Sequence, residues 1–442
     1  MVEETKAQAE FISLPDGLAD DFKAYPVVFV DLSSFDLLEP TNYALNLSNE
    51  ALYRALRLVH PDSISGQAVV KVHIGEPECS TRMRPQYVDG ALRFLQDAGA
   101  SGIVAGDTTV AYSGPRGHQE NPPGDASTYL GLARKHGWSE EGDAGVPFVV
   151  LDRPSTAVQD SFVFSEREKR LEIQGVSSFH DFYLAGGVDA ADFVVNFAHL
   201  TLHGLAGLAG CVKSIAMGCS ALRGKLRMHQ SLLPRFDAET CKGCGLCVES
   251  CPVNALTLDS EEGCPVVDVE KCIGCGECEA VCALSEGAVR LEEEEITDWA
   301  RGEDTLPIRM ADYAMGLMNG RWDRTVHVLH MYSVTERCDC VDVKQEPMIG
   351  HDLGFLISKN PFAVDRIAEG MLRNVLRNNG TEIAPSLLHA AEQSARHVEE
   401  TYGVISGPPV ETWNMARSKR SAKTWRPLST ARKDCIDVRE TT

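Results

Sequence analysis

Two short runs of cysteine constrain this chain more than any other feature. The first reads CKGCGLCVESCP and places Cys241, Cys244, Cys247 and Cys251 at C-x2-C-x2-C-x3-C, with Pro252 after the fourth. The second reads CIGCGECEAVCA and places Cys272, Cys275, Cys278 and Cys282 at the same spacing. Three cysteines two residues apart wrap a tight loop around one corner-rich cube of iron and sulfide. Gly243, Gly245, Gly274 and Gly276 permit the bends and let backbone N–H groups face sulfur. In two-cluster ferredoxins the fourth cysteine of each run ligates the other cluster. The spacing therefore predicts two [4Fe–4S] clusters. One takes Cys241, Cys244, Cys247 and Cys282; the other takes Cys272, Cys275, Cys278 and Cys251. A pair of zinc sites is the alternative, but a duplicated four-cysteine run this compact is not zinc's usual spacing. Ala283 stands where a proline usually follows the last cysteine, and the insertion Leu-Ser-Glu-Gly comes after it. Cys264 lies outside both motifs and reads as a free thiol.

The chain has fifteen cysteines, and nine fall between Cys241 and Cys282. That concentration points to metal ligation rather than to a disulfide framework. A net charge of −22 argues against a nucleic acid as the main partner and against docking on anionic lipid. No window offers the roughly 18 apolar residues of a membrane helix. The start, MVEETKAQAEF, is polar and acidic without a signal-peptide apolar core, so a cytoplasmic location is expected. The one basic-leaning stretch is residues 411–442, with eight Lys or Arg against four acids. It reads as a solvated or partner-wrapping tail.

Around the cysteine runs, short apolar segments alternate with helical patterns. PVVFVDL (Pro26 to Leu32), AVVKVHIG (Ala68 to Gly75), SGIVAGD, VPFVVLD and ADFVVNFAHL (Ala191 to Leu200) read as strands. After the runs come TVHVLHMYSV (Thr325 to Val334) and the shorter LGFLIS. ALYRALRLV (Ala51 to Val59), RPQYVDGALRFLQDAG (Arg84 to Gly99), STYLGLARKHGW and PFAVDRIAEGMLRNVLRN read as helices, the last opened by Pro361. Continuous Val/Ile/Leu strands between helices predict an α/β fold with a mostly parallel sheet flanked by helices. The ferredoxin-like module interrupts that fold. The expected division is residues 1–237 as the first part of the α/β domain, 238–292 as the insert, 293–410 as the second part and 411–442 as the tail. The run Glu292 to Glu295 reads as the solvated start of a helix.

Two further segments look chemically loaded. HLTLHGLAGLAGCVKSIAMGCSALRGKLRMHQ (His199 to Gln230) interleaves glycines with His203, Lys213, Cys219, Lys225 and His229. In ERCDCVDV, Cys338 and Cys340 stand two apart beyond a predicted strand, and strand carboxyl ends are where open parallel sheets bind ligands. Such a pair can chelate a metal; the plainer reading is alternating strand cysteines, one buried and one exposed. GPRGHQENPPG (Gly114 to Gly124) reads as a flexible active-site loop rather than a phosphate cradle. No G-x-G-x-x-G follows the first strand, so no nucleotide is assigned, while flavin stays open.

HGLAGLAGCVKSIAMGCSALRGKLRMH leading into CKGCGLCVESCP, together with VVKVHIGEP, CDC and HDLGFLISKNPFAVD, resembles the iron–sulfur branch of the family called domain of unknown function 362. The matching pieces run from about residue 68 to 377. The chain has Asn360 where the family commonly has aspartate, and Lys213-Ser214 where it often has Lys-Asn. The resemblance implies an α/β domain with an inserted two-cluster ferredoxin, found mostly in anaerobes, and implies no known reaction. It also groups Cys219, Cys338, Cys340, His203 and His229 in family-matching segments on both sides of the insert. Some of them are expected to converge on a third site, for a metal or another cluster with an open position.

Two functional classes follow. In the first, the chain is a reductase: the insert relays low-potential electrons to the α/β domain, where a small organic substrate undergoes alkene reduction or loses a hydroxyl. His203, Lys213 and His229, with Lys225, would bind anions or donate protons. A ferredoxin, a flavodoxin or a reductase would supply the electrons. In the second, the chain is a non-catalytic carrier or a cluster-assembly partner. A dedicated carrier has no need of so large a frame, which favours the enzyme. The assembly stays open between a single chain and a homo-oligomer.

Overall fold

The computed structural model describes residues 10–13, 25–33, 36–110, 114–117, 126–139, 145–154, 162–176, 179–204, 206–229, 234–251, 254–258, 263–268, 272, 278, 282, 288–291, 306–349, 351–380, 389–403 and 410–414. The short apolar runs form one eight-stranded sheet. Its strands are β1 (Val27–Asp31), β2 (Gln67–Lys71), β3 (Gly102–Asp107), β4 (Phe148–Val150), β5 (Phe193–His199), β6 (Thr325–Met331), β7 (Gly354–Ser358) and β8 (Val410–Asn414). They lie in the order β8-β1-β7-β6-β5-β2-β3-β4. Every neighbouring pair is parallel except those made by β7, which runs antiparallel to both β1 and β6. Gly354 lets β7 start hard against β1: it sits at φ +124°, and a Cβ there would meet the Val30 carbonyl oxygen at 1.9 Å.

The helices are α1 (Asn42–Val59), α2 (Asp89–Ala98), α3 (Ser127–Lys135), α4 (Cys211–Ala216), α5 (Leu222–His229), α6 (Leu306–Leu317), α7 (Pro361–Asn378) and α8 (Ala390–Tyr402). Alternate residues of each strand feed opposite faces of the sheet, which is why these strands are apolar throughout. Val28, Val30, Val70 and Val195 pack on one face against Leu52, Leu56, Phe94 and Leu95 of α1 and α2. Val69, Val104 and Val194 pack on the other against Val212 and Ile215 of α4 and Met310 and Ala314 of α6. Beside them, Phe29, Leu329 and Leu356 meet Val364, Ala368 and Leu372 of α7.

The sequence reading holds for the α/β fold and its mostly parallel sheet, with differences at the edges. Helix α1 begins nine residues before Ala51, because Thr41 caps it and accepts from the Ala44 N–H at 3.2 Å. The strand expected to reach Val334 ends at Met331. Strand β8 pairs with β1 from Val410↔Val27 to Asn414↔Asp31, so the sheet continues past the boundary drawn at residue 410. A separate three-stranded sheet joins Glu10–Ser13, Glu168–Gln174 and Asp181–Ala185, none of them read as strands from the sequence. The acidic run 292–295 and the tail beyond residue 414 lie outside the described residues. Among the described residues no helix is long and apolar enough to cross a membrane.

Although the insert separates β5 and β6 in sequence, they are hydrogen-bonded neighbours, from Thr325↔Val194 to His330↔His199. The insert closes on itself: Pro234–Phe236 pairs antiparallel with Val289–Leu291. Inside, Leu256–Leu258 pairs with Pro265–Val267.

Candidate functional site

The insert is built twice, 31 residues apart, and its halves are crossed. Cys241 N donates to Asp237 O at 2.8 Å, and Cys272 N donates to Asp268 O at 2.8 Å. Asp237 N in turn donates to Ala288 O, from the end of the second half, while Asp268 N donates to Ala255 O, from the end of the first, both at 2.8 Å. The fourth cysteines follow the same rule. Cys251 Sγ accepts from Ala255 N at 3.2 Å, and Cys282 Sγ accepts from Ala288 N at 3.1 Å. Each fourth cysteine is thus carried to the mouth of the opposite run. Cys241, Cys244, Cys247 and Cys282 line one cavity together with Phe236, Leu246, Pro265 and Val289. Gly243 and Gly245 sit at positive φ, +64° and +80°, as the wrapped loop requires. Four thiols around one apolar hollow, with amide N–H groups already aimed at sulfur, fit a cubane cluster. Ala288 stands six residues after Cys282 and Ala255 four after Cys251. The same bond thus forms in both halves despite two more residues in the second. Cys251, Cys272 and Cys278 are described; Cys275 lies outside the described residues.

The second concentration of chemistry stands at the carboxyl edge of the large sheet, where parallel strands end together. Lys71 ends β2, and His73 follows two residues on; Asp107 ends β3. Asp107 is the hub. It accepts from His73 Nδ1 at 3.2 Å and from the Tyr129 hydroxyl of α3 at 2.9 Å, and it pairs with Lys71 at 3.7 Å and Arg116 at 3.4 Å. Burial opposes its charge, but Lys71 and Arg116 outweigh burial and hold the carboxyl far below the usual range. Arg116 also reaches Glu76 at 2.9 Å. His73 Nε2 is buried, and the ring stands close enough to Cys338 to favour its thiolate. Lys71 extends to Ser214 Oγ at 3.1 Å, and Ser214 donates to Asn196 at 2.7 Å. Gly218 makes room for that lysine, because a Cβ there would lie 2.1 Å from Lys71 Nζ. Lys225 of α5 donates to Thr108 Oγ1 at 2.9 Å and to Ser220 O at 2.6 Å. Burial lowers its pKa to about 8, with Asp152 and Asp107 opposing the fall.

The cysteine pair stands in a turn, not in a strand. Val341 N donates to Cys338 O at 3.0 Å, which bends Cys338-Asp339-Cys340 and brings both sulfurs to Lys213. Lys213 Nζ is 3.1 Å from Cys338 Sγ and 3.8 Å from Cys340 Sγ. The plain reading of alternating strand cysteines is therefore overturned: strand β6 has ended, and a buried side chain anchors the turn. Asp339 accepts from His199 Nδ1 at 2.7 Å, Cys79 Sγ at 3.2 Å and Thr81 Oγ1 at 3.1 Å. His199 Nε2 lies 2.7 Å from Tyr332 O, so both ring nitrogens face acceptors, an arrangement that favours the charged ring. Burial works against that charge, Asp339 outweighs it, and the His199 pKa rises. The two cysteines share their protons unequally. A hydrogen bond from Cys340, with Lys213 and His73 nearby, lowers the Cys338 pKa, while the same bond and burial raise that of Cys340.

Of the residues singled out in sequence, the structure brings His203, Cys338 and Cys340 together, their ligand atoms all within 4.8 Å of one another, with Lys213 against the sulfurs. His203 Nδ1 accepts from Ala206 N at 3.0 Å. Burial and Lys213 lower the pKa of His203 to about 3 and that of His229 to about 4, so both are neutral near pH 7. Cys219 does not join the pair: it is fully buried among Val212, Ile215 and Ala216, and burial raises its pKa to about 11. The sequence reading had given no role to Lys71, His73, Glu76, Asp107, Arg116, His199 or Asp339. One signal was there to use: Lys71 and Asp107 are the charged ends of otherwise apolar strands. Arg116 falls in the segment read as a flexible loop, but it is 2% exposed and bound to Glu76 and Asp107. Residues 118–124 of that segment lie outside the described residues.

Both positions that depart from the family pattern have hydrogen-bond partners here. Asn360 caps α7, accepting from Ala363 N at 3.0 Å, and asparagine and aspartate are comparable caps. Ser214 supplies the hydroxyl link between Lys71 and Asn196.

Comparison with known proteins agrees with this arrangement. The Ferredoxin-type protein NapF of Haemophilus influenzae is 45% identical over 40 residues, a match that covers 9% of this chain and 23% of that protein. The chain spans less than a quarter of that relative's length. No solved structure matches. Residues 68–369, which hold every group of the carboxyl edge and the whole insert, match the family described as Domain of unknown function (DUF362), and the chain belongs to that family.

Proposed function

We propose that this chain is an iron–sulfur oxidoreductase that reduces a small anionic organic molecule at the carboxyl edge of its sheet. The insert would hold two [4Fe–4S] clusters, on Cys241, Cys244, Cys247 and Cys282 and on Cys272, Cys275, Cys278 and Cys251. When bound, such clusters supply single electrons at low potential. The observation that carries the reading is the assembly of Lys71, His73, Asp107, Arg116 and Lys225 around one edge. A carrier has no use for a half-buried proton-handling group beside a set of cations.

The residues divide the work. Asp107, held ionised by Lys71 and Arg116, orients His73 through Nδ1 and leaves Nε2 to give or take a proton at the substrate. Lys225 and Lys213 supply positive charge for a carboxylate or similar anion. Reduction of an alkene consumes two electrons and two protons. Loss of a hydroxyl consumes the same and releases water. In either case the electrons would come from an external low-potential donor such as a ferredoxin or flavodoxin.

The test begins with protein purified under anaerobic conditions. About eight irons and eight sulfides per chain are expected. Reduced viologen is then offered with a panel of unsaturated and hydroxylated acids. Turnover that falls about 100-fold or more in His73→Gln, with iron content unchanged, is the expected result. Clusters that reduce and reoxidise with no turnover across the panel would favour the other reading, a carrier or a cluster-assembly partner.

A further inference from the structure

We infer that Cys338, Cys340 and His203 form a mononuclear metal site, separate from the clusters of the insert, for one thiophilic divalent ion: zinc or ferrous iron. The inference goes beyond the reductase reading and does not depend on it.

Three observations support it. Among the described residues, the ligand atoms of these three side chains lie within 4.8 Å of one another, a spacing at which a single ion can touch all three. They come from two chain segments far apart in sequence, the strand Thr201–His203 and the turn after β6. Two sulfurs and one imidazole nitrogen suit zinc and ferrous iron, and they discriminate against magnesium and calcium, which prefer oxygen.

The site is also held in place. The residue between the two cysteines, Asp339, is clamped by His199, Cys79 and Thr81, and its backbone carbonyl accepts from Glu76 N at 3.0 Å. The chain thus fixes its ligands through groups that are not ligands, as metal sites commonly do. Lys213 donates to Cys338 and offsets part of the thiolate charge. Three protein ligands leave a fourth position open, as in sites that act on a bound molecule rather than ones that only brace the fold. Both halves of the site stand at the carboxyl edge, on the side of Lys213 and His73.

The histidine is the weakest of the three ligands. A neutral imidazole has one lone pair, and in this structure Nδ1 uses it to accept the Ala206 N–H. Binding the metal exchanges that hydrogen bond for a metal bond, so the two cysteines carry most of the affinity.

The experiment measures metal without turnover, so the lack of a known substrate does not affect it. Full-length protein with its clusters intact is incubated anaerobically with Zn²⁺ in one arm and Fe²⁺ in another, then desalted. Zinc, iron and acid-labile sulfide are counted per chain. The expected result is about one metal beyond the iron matched by sulfide, in at least one arm. The double variant Cys338→Ser/Cys340→Ser should lose that metal while sulfide stays constant. His203→Ala should retain it about tenfold more weakly against a competing chelator. Circular dichroism on each variant checks the fold; should the double variant unfold, Cys340→Ser alone is measured instead, with the same loss expected. No additional metal in either arm would overturn the inference, and so would an unchanged additional metal in the cysteine variants. Joint loss of about four irons and four sulfides would also overturn it, because the pair would then hold a cluster.

Discussion

At the residue scale, the balance between burial and a partner charge decides which groups can act. Lys225 has neutral hydrogen-bond partners, Thr108 and the Ser220 carbonyl, and burial takes its pKa to about 8. Its charge is present below that pH and lost above it. An anionic substrate held by this ammonium should bind less well as pH rises, with KM climbing up to tenfold per unit above about pH 8. Lys225→Arg, which does not titrate in this range, should flatten that limb. A KM profile with the same break in both proteins would remove Lys225 from the site. His199 has the opposite sign: Asp339 raises its pKa. Its contribution to stability is complete below the unfolded value of about 6.5 and is lost as pH rises through the raised folded value. Asp339→Ala leaves that ring without its carboxylate and should cost about 3–5 kcal/mol in denaturant melts. The loss should be largest at acid pH, where the histidine is charged in both states. Arg116, Glu76, His199 and Asp339 were hard to find in the sequence because their partners are remote. Arg116 meets Glu76, and His199 meets Asp339, only after the sheet has formed.

At the scale of elements, strand and helix identity was legible because apolar period and end signals agreed. Continuous Val-rich runs became buried strands, and Asn360-Pro361 opened α7 as a cap followed by proline should. Asn360→Ala should lower stability by about 1 kcal/mol, and Asn360→Asp by much less, as read from the shift in unfolding midpoint. Equal losses in both would show that the side chain does more than cap. The reading failed where local pattern and tertiary anchoring disagree. Cys338 and Cys340 have strand-like alternation, but Asp339 is drawn inward by His199, Cys79 and Thr81 and turns the chain. Glu168–Gln174 carries too many charged residues to announce a strand, yet it pairs with both Glu10–Ser13 and Asp181–Ala185.

At the scale of the molecule, the insert is a closed loop hung between two adjacent strands. Its ends meet in the ladder from Pro234↔Leu291 to Phe236↔Val289, and β5 and β6 pair whether or not anything lies between them. Replacing residues 237–288 with a short glycine linker should therefore leave the α/β frame folded, with near-native circular dichroism and with the iron of the insert gone. Collapse of the frame would show that the insert is part of its core. The duplicated cysteine spacing made the insert legible from sequence alone. Its interruption of one sheet was legible from the strands on either side.

The crossing of the halves also governs the order in which a growing chain can mature. In the proposed assignment the first ligand set includes Cys282, and the second includes Cys278. A ribosome that has made the whole first run has therefore made no complete cradle. Both sets are completed within the last five residues from Cys278 to Cys282, and Ala288, which closes the ladder on Asp237, emerges soon after. Metal delivery must wait for nearly the entire insert. A chain truncated after the first run should emerge colourless, even though four cysteines are present in the right spacing.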